Sequence, residues 1–186
     1  MSIVAAVLCG GQGTRLRPVI GDLPKCLAPV AGRPFLAYVL DHLLSQEVMS
    51  IVLCINSKMV DLMDEFIENY SEELEDGVPI IRLSAEDEPL GTGGALKQTL
   101  PLLDGDPVLV LNGDTYCKFN LSEMFKQWSN SYRLIATSVD YRGTFTGVCL
   151  LPRGWIESIP DGKQDLASRF YGSVCPFLDI GTPVYP

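Results

Sequence analysis

Ile3-Val4-Ala5-Ala6-Val7-Leu8-Cys9-Gly10-Gly11-Gln12-Gly13-Thr14-Arg15-Leu16-Arg17-Pro18 is an apolar run that gives way to three glycines and two arginines. Ile3 to Leu8 is short and uncharged, as a strand buried on both faces requires. It is too short to span a bilayer and no basic segment precedes it, so it reads neither as a membrane helix nor as a signal peptide. The glycines remove side chains where the backbone must bend tightly, and they let N–H groups approach an anion. Arg15 and Arg17 add fixed positive charge. In a parallel sheet such a loop lies at the carboxyl end of its strand, the edge where these folds bind ligands. The stretch therefore reads as a cradle for a triphosphate. A dinucleotide fingerprint would need glycine where Leu16 stands, and a P-loop would need Gly-Lys-Ser/Thr.

Outward from this loop, short apolar runs alternate with amphipathic stretches. Helical spacing predicts a helix over 34–46, with Phe35, Tyr38, Val39, His42 and Leu43 on one face. A strand is expected at Ser50–Ile55, a helix at 58–70, a strand at Val78–Leu83 and a helix from Gly93 to Leu102 that stops near Pro101. Val108–Leu111 reads as a strand, Leu121–Trp128 as a helix and Leu134–Val139 as a strand. This alternation implies a Rossmann-like, three-layer α/β/α domain around a mostly parallel sheet. The 186 residues suit one domain. Beyond Tyr141 the pattern is broken by Gly143, Gly147, Pro152, Gly154, Pro160 and Gly162, and Val148–Leu151 is the one further strand expected. The reading is a core over 1–140 and a reduced part over 141–186.

The net charge of −9 argues against a nucleic-acid partner, whose phosphates attract a basic surface. Residues 1–40 run the other way, with Arg15, Arg17, Lys25 and Arg33 against Asp22 alone. A cationic island on an acidic chain suits a small anionic ligand. The six cysteines form no C-x-x-C pair and read as reduced and structural, as in a cytoplasmic chain. His42 is the one histidine and sits in a helix, so it reads as a surface or packing residue.

Two more segments stand out. Glu86-Asp87-Glu88-Pro89-Leu90-Gly91-Thr92-Gly93-Gly94-Ala95 is a turn opening into a helix; its three acids read alternatively as a solvated turn. Val110-Leu111-Asn112-Gly113-Asp114-Thr115 puts a carboxylate just past a buried strand. Asp114 there suits Mg²⁺, which takes a few hard oxygens plus substrate phosphates, or it caps the next turn.

Gly10-Gly11-Gln12-Gly13-Thr14-Arg15-Leu16, then Leu23-Pro24-Lys25 and Gly32-Arg33-Pro34-Phe35, resembles the signature of sugar-1-phosphate nucleotidyltransferases. The Pro-Leu-Gly-Thr-Gly-Gly run at 89–94 is most like guanylyltransferases for mannose-type and heptose sugars. The resemblance implies a nucleotide site at Leu8, Gly10, Gly11, Gly13, Thr14, Arg15, Glu86, Pro89, Gly91 and Thr92, with Arg15 and Lys25 acting on phosphate. It implies Mg²⁺ on Asp114 and on Asp179, in Phe177-Leu178-Asp179-Ile180-Gly181-Thr182-Pro183, and sugar contacts at Asn112 and Gly147. The substrates implied are a nucleoside triphosphate and a sugar-1-phosphate, in a cytoplasmic protein without a membrane partner that often forms a homodimer. If Glu86 reaches the base, GTP is favoured. A carboxylate only accepts hydrogen bonds, and guanine offers two adjacent donors where uracil and thymine offer one. The resemblance is good to about residue 140 and resumes near 171–183. The Glu-Lys pair that holds the sugar phosphate in related enzymes has no match here. Arg142, Arg153, Lys163 and Arg169 each read equally as a replacement for the missing lysine or as a surface charge. The gap leaves a second reading open, a non-catalytic nucleotide-binding relative.

Overall fold

The computed structural model describes residues 3–11, 13, 16–75, 77–131, 135–138, 145–171 and 177–179, with the backbone alone described at 129–131, 135–138, 145, 169–171 and 177–179. In chain order the strands are β1 (Val4–Leu8), β2 (Pro29–Val30), β3 (Arg33–Pro34), β4 (Ser50–Asn56), β5 (Ile80–Glu86), β6 (Val108–Asn112), β7 (Ile135–Ser138), β8 (Phe145–Leu151) and β9 (Phe177–Asp179). The helices are α1 (Arg17–Ile20), α2 (Phe35–Ser45), α3 (Val60–Glu72), α4 (Gly91–Gln98), α5 (Leu121–Ser131), α6 (Arg153–Glu157) and α7 (Leu166–Tyr171). β2 and β3 pair as a small antiparallel hairpin. The other seven strands form one sheet in the order β5-β4-β1-β6-β8-β7-β9. All run parallel except β8, which opposes both β6 and β7.

The period of two along each strand sorts the core into two layers. Ala5, Val7, Ile51, Leu53, Ile55, Leu109 and Leu111 face one way, onto Leu36, Leu40 and Leu43 of α2, Met63 and Phe66 of α3, and Met124 of α5. Val4, Ala6, Val52, Cys54, Val108 and Val110 face the other way, onto Leu96 of α4, Ile156 of α6 and Leu166 of α7. The three-layer α/β/α architecture is the one the alternation implied.

Three details differ from the sequence expectation. β5 starts later and runs on to Glu86, because it pairs with β4 along that strand's full length, Ser50 opposite Ile80 and Asn56 opposite Glu86. Val78 and Ile80, whose apolar character suggested the earlier start, are exposed. α4 begins at Gly91 and ends at Gln98, and a 3₁₀ turn over Leu100–Leu102 takes up Pro101, which has no N–H to continue an α-helix. The Gly- and Pro-rich stretch past 152 still forms α6 and α7.

The order of β4, β1 and β6 sets the position of the site. From β1 the chain moves outward to β4 and β5, then returns to β6 on the other side of β1. That reversal opens a crevice at the carboxyl ends of β1 and β6, where open α/β sheets take ligands.

Candidate functional site

The glycine loop leaves β1 between two neighbours. The Cys9 N–H donates to the Cys54 carbonyl at 2.8 Å, and the Gly113 N–H donates to the Leu8 carbonyl at 2.9 Å. The ends of β4 and β6 therefore hold the loop at its root. Gly10 lies against the end of β5: a Cβ there would stand 3.0 Å from Glu86 Oε1. A side chain at residue 10 would thus need the Glu86 carboxylate to give way by a few tenths of an ångström.

Glu86 is buried, whereas Asp87 and Glu88 beside it are exposed. Its Oε2 accepts the Leu90 N–H at 3.1 Å. Burial raises the Glu86 carboxyl above its ordinary range, and the Leu90 N–H pulls the other way. A ligand donor reaching Oε1 would offset that desolvation. The solvated-turn reading therefore holds for Asp87 and Glu88 but not for Glu86.

Lys25 begins a 3₁₀ turn after Pro24, and its Nζ donates to Asp114 Oδ2 at 2.6 Å. Both side chains are more than a third exposed, at 37% and 39%, so the pair remains accessible to a ligand. Asp114 Oδ1 accepts from the Thr115 hydroxyl at 3.2 Å. Among the described residues no group of three or more His, Cys, Asp and Glu side chains is placed to hold a metal. A metal at Asp114 would thus rely on substrate oxygens for much of its shell, the ligation Mg²⁺ favours. Asp179 ends β9 on the same edge of the sheet, three strands from β6; its side chain lies outside the described residues.

These groups face one cavity of about 480 Å³. Of the residues singled out in the sequence, Leu8, Gly10, Gly11, Lys25, Glu86, Pro89, Gly91, Thr92, Asn112 and Asp114 line it. Gly13 and Gly147 are not in its lining. Gly147 lies behind Asn112, where a Cβ would stand 2.4 Å from Asn112 Nδ2, so the strand β8 backs that amide closely. Thr14 and Arg15 lie outside the described residues.

Sequence reasoning missed several lining residues. Cys9, Cys26 and Cys54 form part of the wall. The thiol of Cys9 is raised well above its ordinary value by a hydrogen bond to Cys26 and by burial, and that of Cys54 is raised by burial. Protonated thiols are poor nucleophiles, so Cys9 and Cys54 are suited to packing. Of the four cations that the sequence offers as a replacement for the missing lysine, Lys163 lines the cavity. Arg153 turns its guanidinium elsewhere, to the carbonyls of Leu100 and Leu103 and to Glu157. Arg142 and the side chain of Arg169 lie outside the described residues. Thr92 lines the cavity, but its hydroxyl is engaged: it accepts the Leu166 N–H at 2.8 Å and donates to Asp165 Oδ1 at 3.1 Å. His42 is a packing residue, its Nε2 accepting the Phe119 N–H at 3.2 Å, with its ring set edge-on to Phe119.

Residues 4–142 match the family model described as nucleotidyl transferase. The chain belongs to this family. Over 120 residues it is 40% identical to the D-glycero-alpha-D-manno-heptose 1-phosphate guanylyltransferase of Campylobacter jejuni, a match covering 64% of this chain and 51% of that one. It is 34% identical over 177 residues to a mannose-1-phosphate guanyltransferase of Gibberella zeae, covering 92% of this chain and 45% of the relative. The chain thus spans about half the length of these sequence relatives. The crystal structure of HddC from Yersinia pseudotuberculosis complexed with GMP-PN superposes with a TM-score of 0.75 at 26% identity, covering 98% of this chain and 95% of that one. In this member of the nucleotidyl transferase family, the glycine loop, Glu86 and Asp114 line one cavity at the crevice of β1 and β6.

Proposed function

We propose that this chain transfers a nucleotidyl group, GMP by preference, from a nucleoside triphosphate to a sugar-1-phosphate and releases pyrophosphate. The observation that carries the reading is one cavity that joins the glycine loop to a buried acceptor at one end and a Lys–Asp pair at the other. Arg15 and Thr14 belong to the same phosphate cradle in this reading.

An oxygen of the sugar phosphate attacks the α-phosphorus, and the bond from that phosphorus to the bridging oxygen of the β-phosphate breaks. Pyrophosphate leaves with the bonding electrons. The attacking phosphate has its second pKa near ~6, so it is already ionised at neutral pH and no general base is needed. The surroundings agree, since the Cys9 and Cys54 thiols of the lining are raised above their ordinary values, and His42, which is not in the lining, is committed to Phe119. Two anions must meet, so the residues' task is electrostatic. Lys25 and Arg15 offset charge on the phosphates, and Asn112, backed by Gly147, orients the sugar. Asp114, joined by Asp179, would hold Mg²⁺, which when bound neutralises and aligns the phosphates. Lys25 then exchanges part of its contact with Asp114 for the nucleotide.

Guanine fits Glu86 because its N1–H and 2-amino group are adjacent donors. Relatives named as guanylyltransferases, and the related structure with a bound guanine nucleotide, support this choice. A mannose-type hexose or heptose is the sugar class that goes with it. A cytoplasmic setting, where triphosphates are made, and a homodimer complete the reading. No helix among the described residues is long and apolar enough to cross a membrane.

One observation favours a second reading. The chain passes from Ser138 at the end of β7 to Phe145 at the start of β8 in a short connection, with no Glu-Lys pair to hold a sugar phosphate. A chain of this kind could bind nucleotide without transferring it. The test is pyrophosphate release by the purified chain with Mg²⁺, each of four NTPs and a panel of hexose- and heptose-1-phosphates. Sugar-dependent release with GTP, lost in Asp114→Ala, is expected. Release with UTP or dTTP alone would overturn the guanine assignment. Nucleotide binding without release for any pair would select the second reading.

A further inference from the structure

The connection from α6 to α7 forms a stretch of cavity wall that no sequence motif marks. It crosses the first turn of α4 as a strap. The Gln164 N–H donates to the Leu90 carbonyl at 2.8 Å, and the Gly93 N–H donates to the Gln164 carbonyl at 2.9 Å. Thr92 adds its two hydrogen bonds, to Asp165 and from Leu166. A Cβ at Gly94 would stand 2.4 Å from the Gly162 carbonyl oxygen. The absence of a side chain there lets the strap lie on the helix in direct contact. From behind, the Lys97 ammonium donates to the Glu157 carbonyl and ties α6 to α4.

This strap presents Lys163 to the cavity. Lys163 is exposed and has no hydrogen-bond or ion-pair partner among the described residues. The other described cation of the lining, Lys25, is held by Asp114 at 2.6 Å. Among the described residues of the lining, Lys163 is therefore the cation that no described side chain pairs with. A free ammonium beside a phosphate cradle attracts a phosphate oxygen, and the backbone beneath it is already ordered, so little more than the lysine side chain need be fixed on binding.

We propose that Lys163 is a substrate-binding residue whose ammonium contacts a phosphate oxygen, delivered to the cavity by strap residues 162–166. The assignment rests on the nucleotidyl-transfer reading. The phosphate belongs to the triphosphate or to the sugar-1-phosphate, and binding measurements separate the two.

Isothermal titration on the full chain with Mg²⁺ tests it, using α,β-methylene-GTP, then a panel of sugar-1-phosphates on the nucleotide-saturated protein, with guanosine as the ligand without phosphate. Wild type, Lys163→Gln and Lys163→Arg are compared, their Tm values confirming that each is folded. Loss of one charge-assisted contact weakens the ligand that Lys163 holds by about tenfold or more in Lys163→Gln. Lys163→Arg keeps most of the affinity, and guanosine binds all three alike. Weakening of the nucleotide alone places the contact on the triphosphate; weakening of the sugar phosphate alone places it there. If Lys163→Gln weakens no phosphate ligand that the wild type binds, or weakens guanosine equally, the assignment is overturned while the proposed function stands. If the wild type binds no nucleotide, the function reading falls and the assignment with it.

Discussion

Residues 8–11, 25 and 112–114 make one wall of the cavity, and Gly91, Thr92 and Ala95 with Lys163 make another. In the first wall most pieces sit at the carboxyl end of a parallel strand, so the sheet itself sets their positions. In the second wall a turn from late in the chain is fastened to a helix start 73 residues earlier. The first is held by a hydrogen-bonded ladder with a buried apolar core on both faces. The second is held by a few hydrogen bonds and by glycines that admit close backbone contact. In the proposed function the rigid wall carries the chemistry, and the fastened wall adjusts substrate fit.

Substitutions can break or sharpen this contrast. The largest effect is expected in the first wall: Asp114→Ala should lower pyrophosphate release by about 10²–10³-fold, the typical cost of one preorganised electrostatic contact. Its Tm should change little, because the Asp114 carboxylate is well exposed. A large fall in Tm would mean the Lys25–Asp114 pair is chiefly a structural bond.

In the second wall the order reverses, with stability responding first. Gly94→Ala should cost about 1–3 kcal/mol, since overpacking forces a backbone shift, here against the Gly162 carbonyl. Thermal or urea unfolding measures it, and unchanged stability would show that the strap is not seated on α4.

Glu86→Gln joins the two walls and should act in two directions. A glutamine amide turns one acceptor into a donor, so GTP should bind about tenfold more weakly. The ligand-free variant should nonetheless melt higher than wild type at neutral pH. Burial raises the Glu86 carboxyl, so its contribution to stability is present at low pH and is lost as the pH rises through the raised value. The difference in Tm should shrink as the pH falls below that value. Equal GTP affinity in both proteins would remove Glu86 from base selection.

The smallest expected effect is that of Thr92→Val, about 1 kcal/mol for the lost hydroxyl bonds, with nucleotide affinity falling only as far as the strap loosens. Loss of GTP binding comparable to Glu86→Gln would instead make Thr92 a direct base contact.

Much of the fold is written locally. The uncharged runs at 4–8, 51–55 and 108–111 had to be buried, and the glycines after Leu8 had to form a loop at the ligand edge. Glu86 was recognisable as an acid in the loop that the resemblance links to the base, but not as a buried strand end. Its strand lies at the sheet edge, where the apolar Val78 and Ile80 are exposed and mark the start of β5 poorly. Thr92 stood out within its motif, whereas its bond partners lie in α7 and the turn before it.

The sequence by itself determined the parallel α/β alternation, the glycine loop after the first strand, the family and an aspartate at a strand end. Those follow from side-chain period, glycine placement and strand polarity, which act over a few residues. Tertiary structure alone decided that Lys25 meets Asp114 across 89 positions, that Gly10 makes room for Glu86, and that Lys163 enters the cavity. Such pairings depend on which strands lie side by side and which loops cross a helix, and no local spacing encodes them.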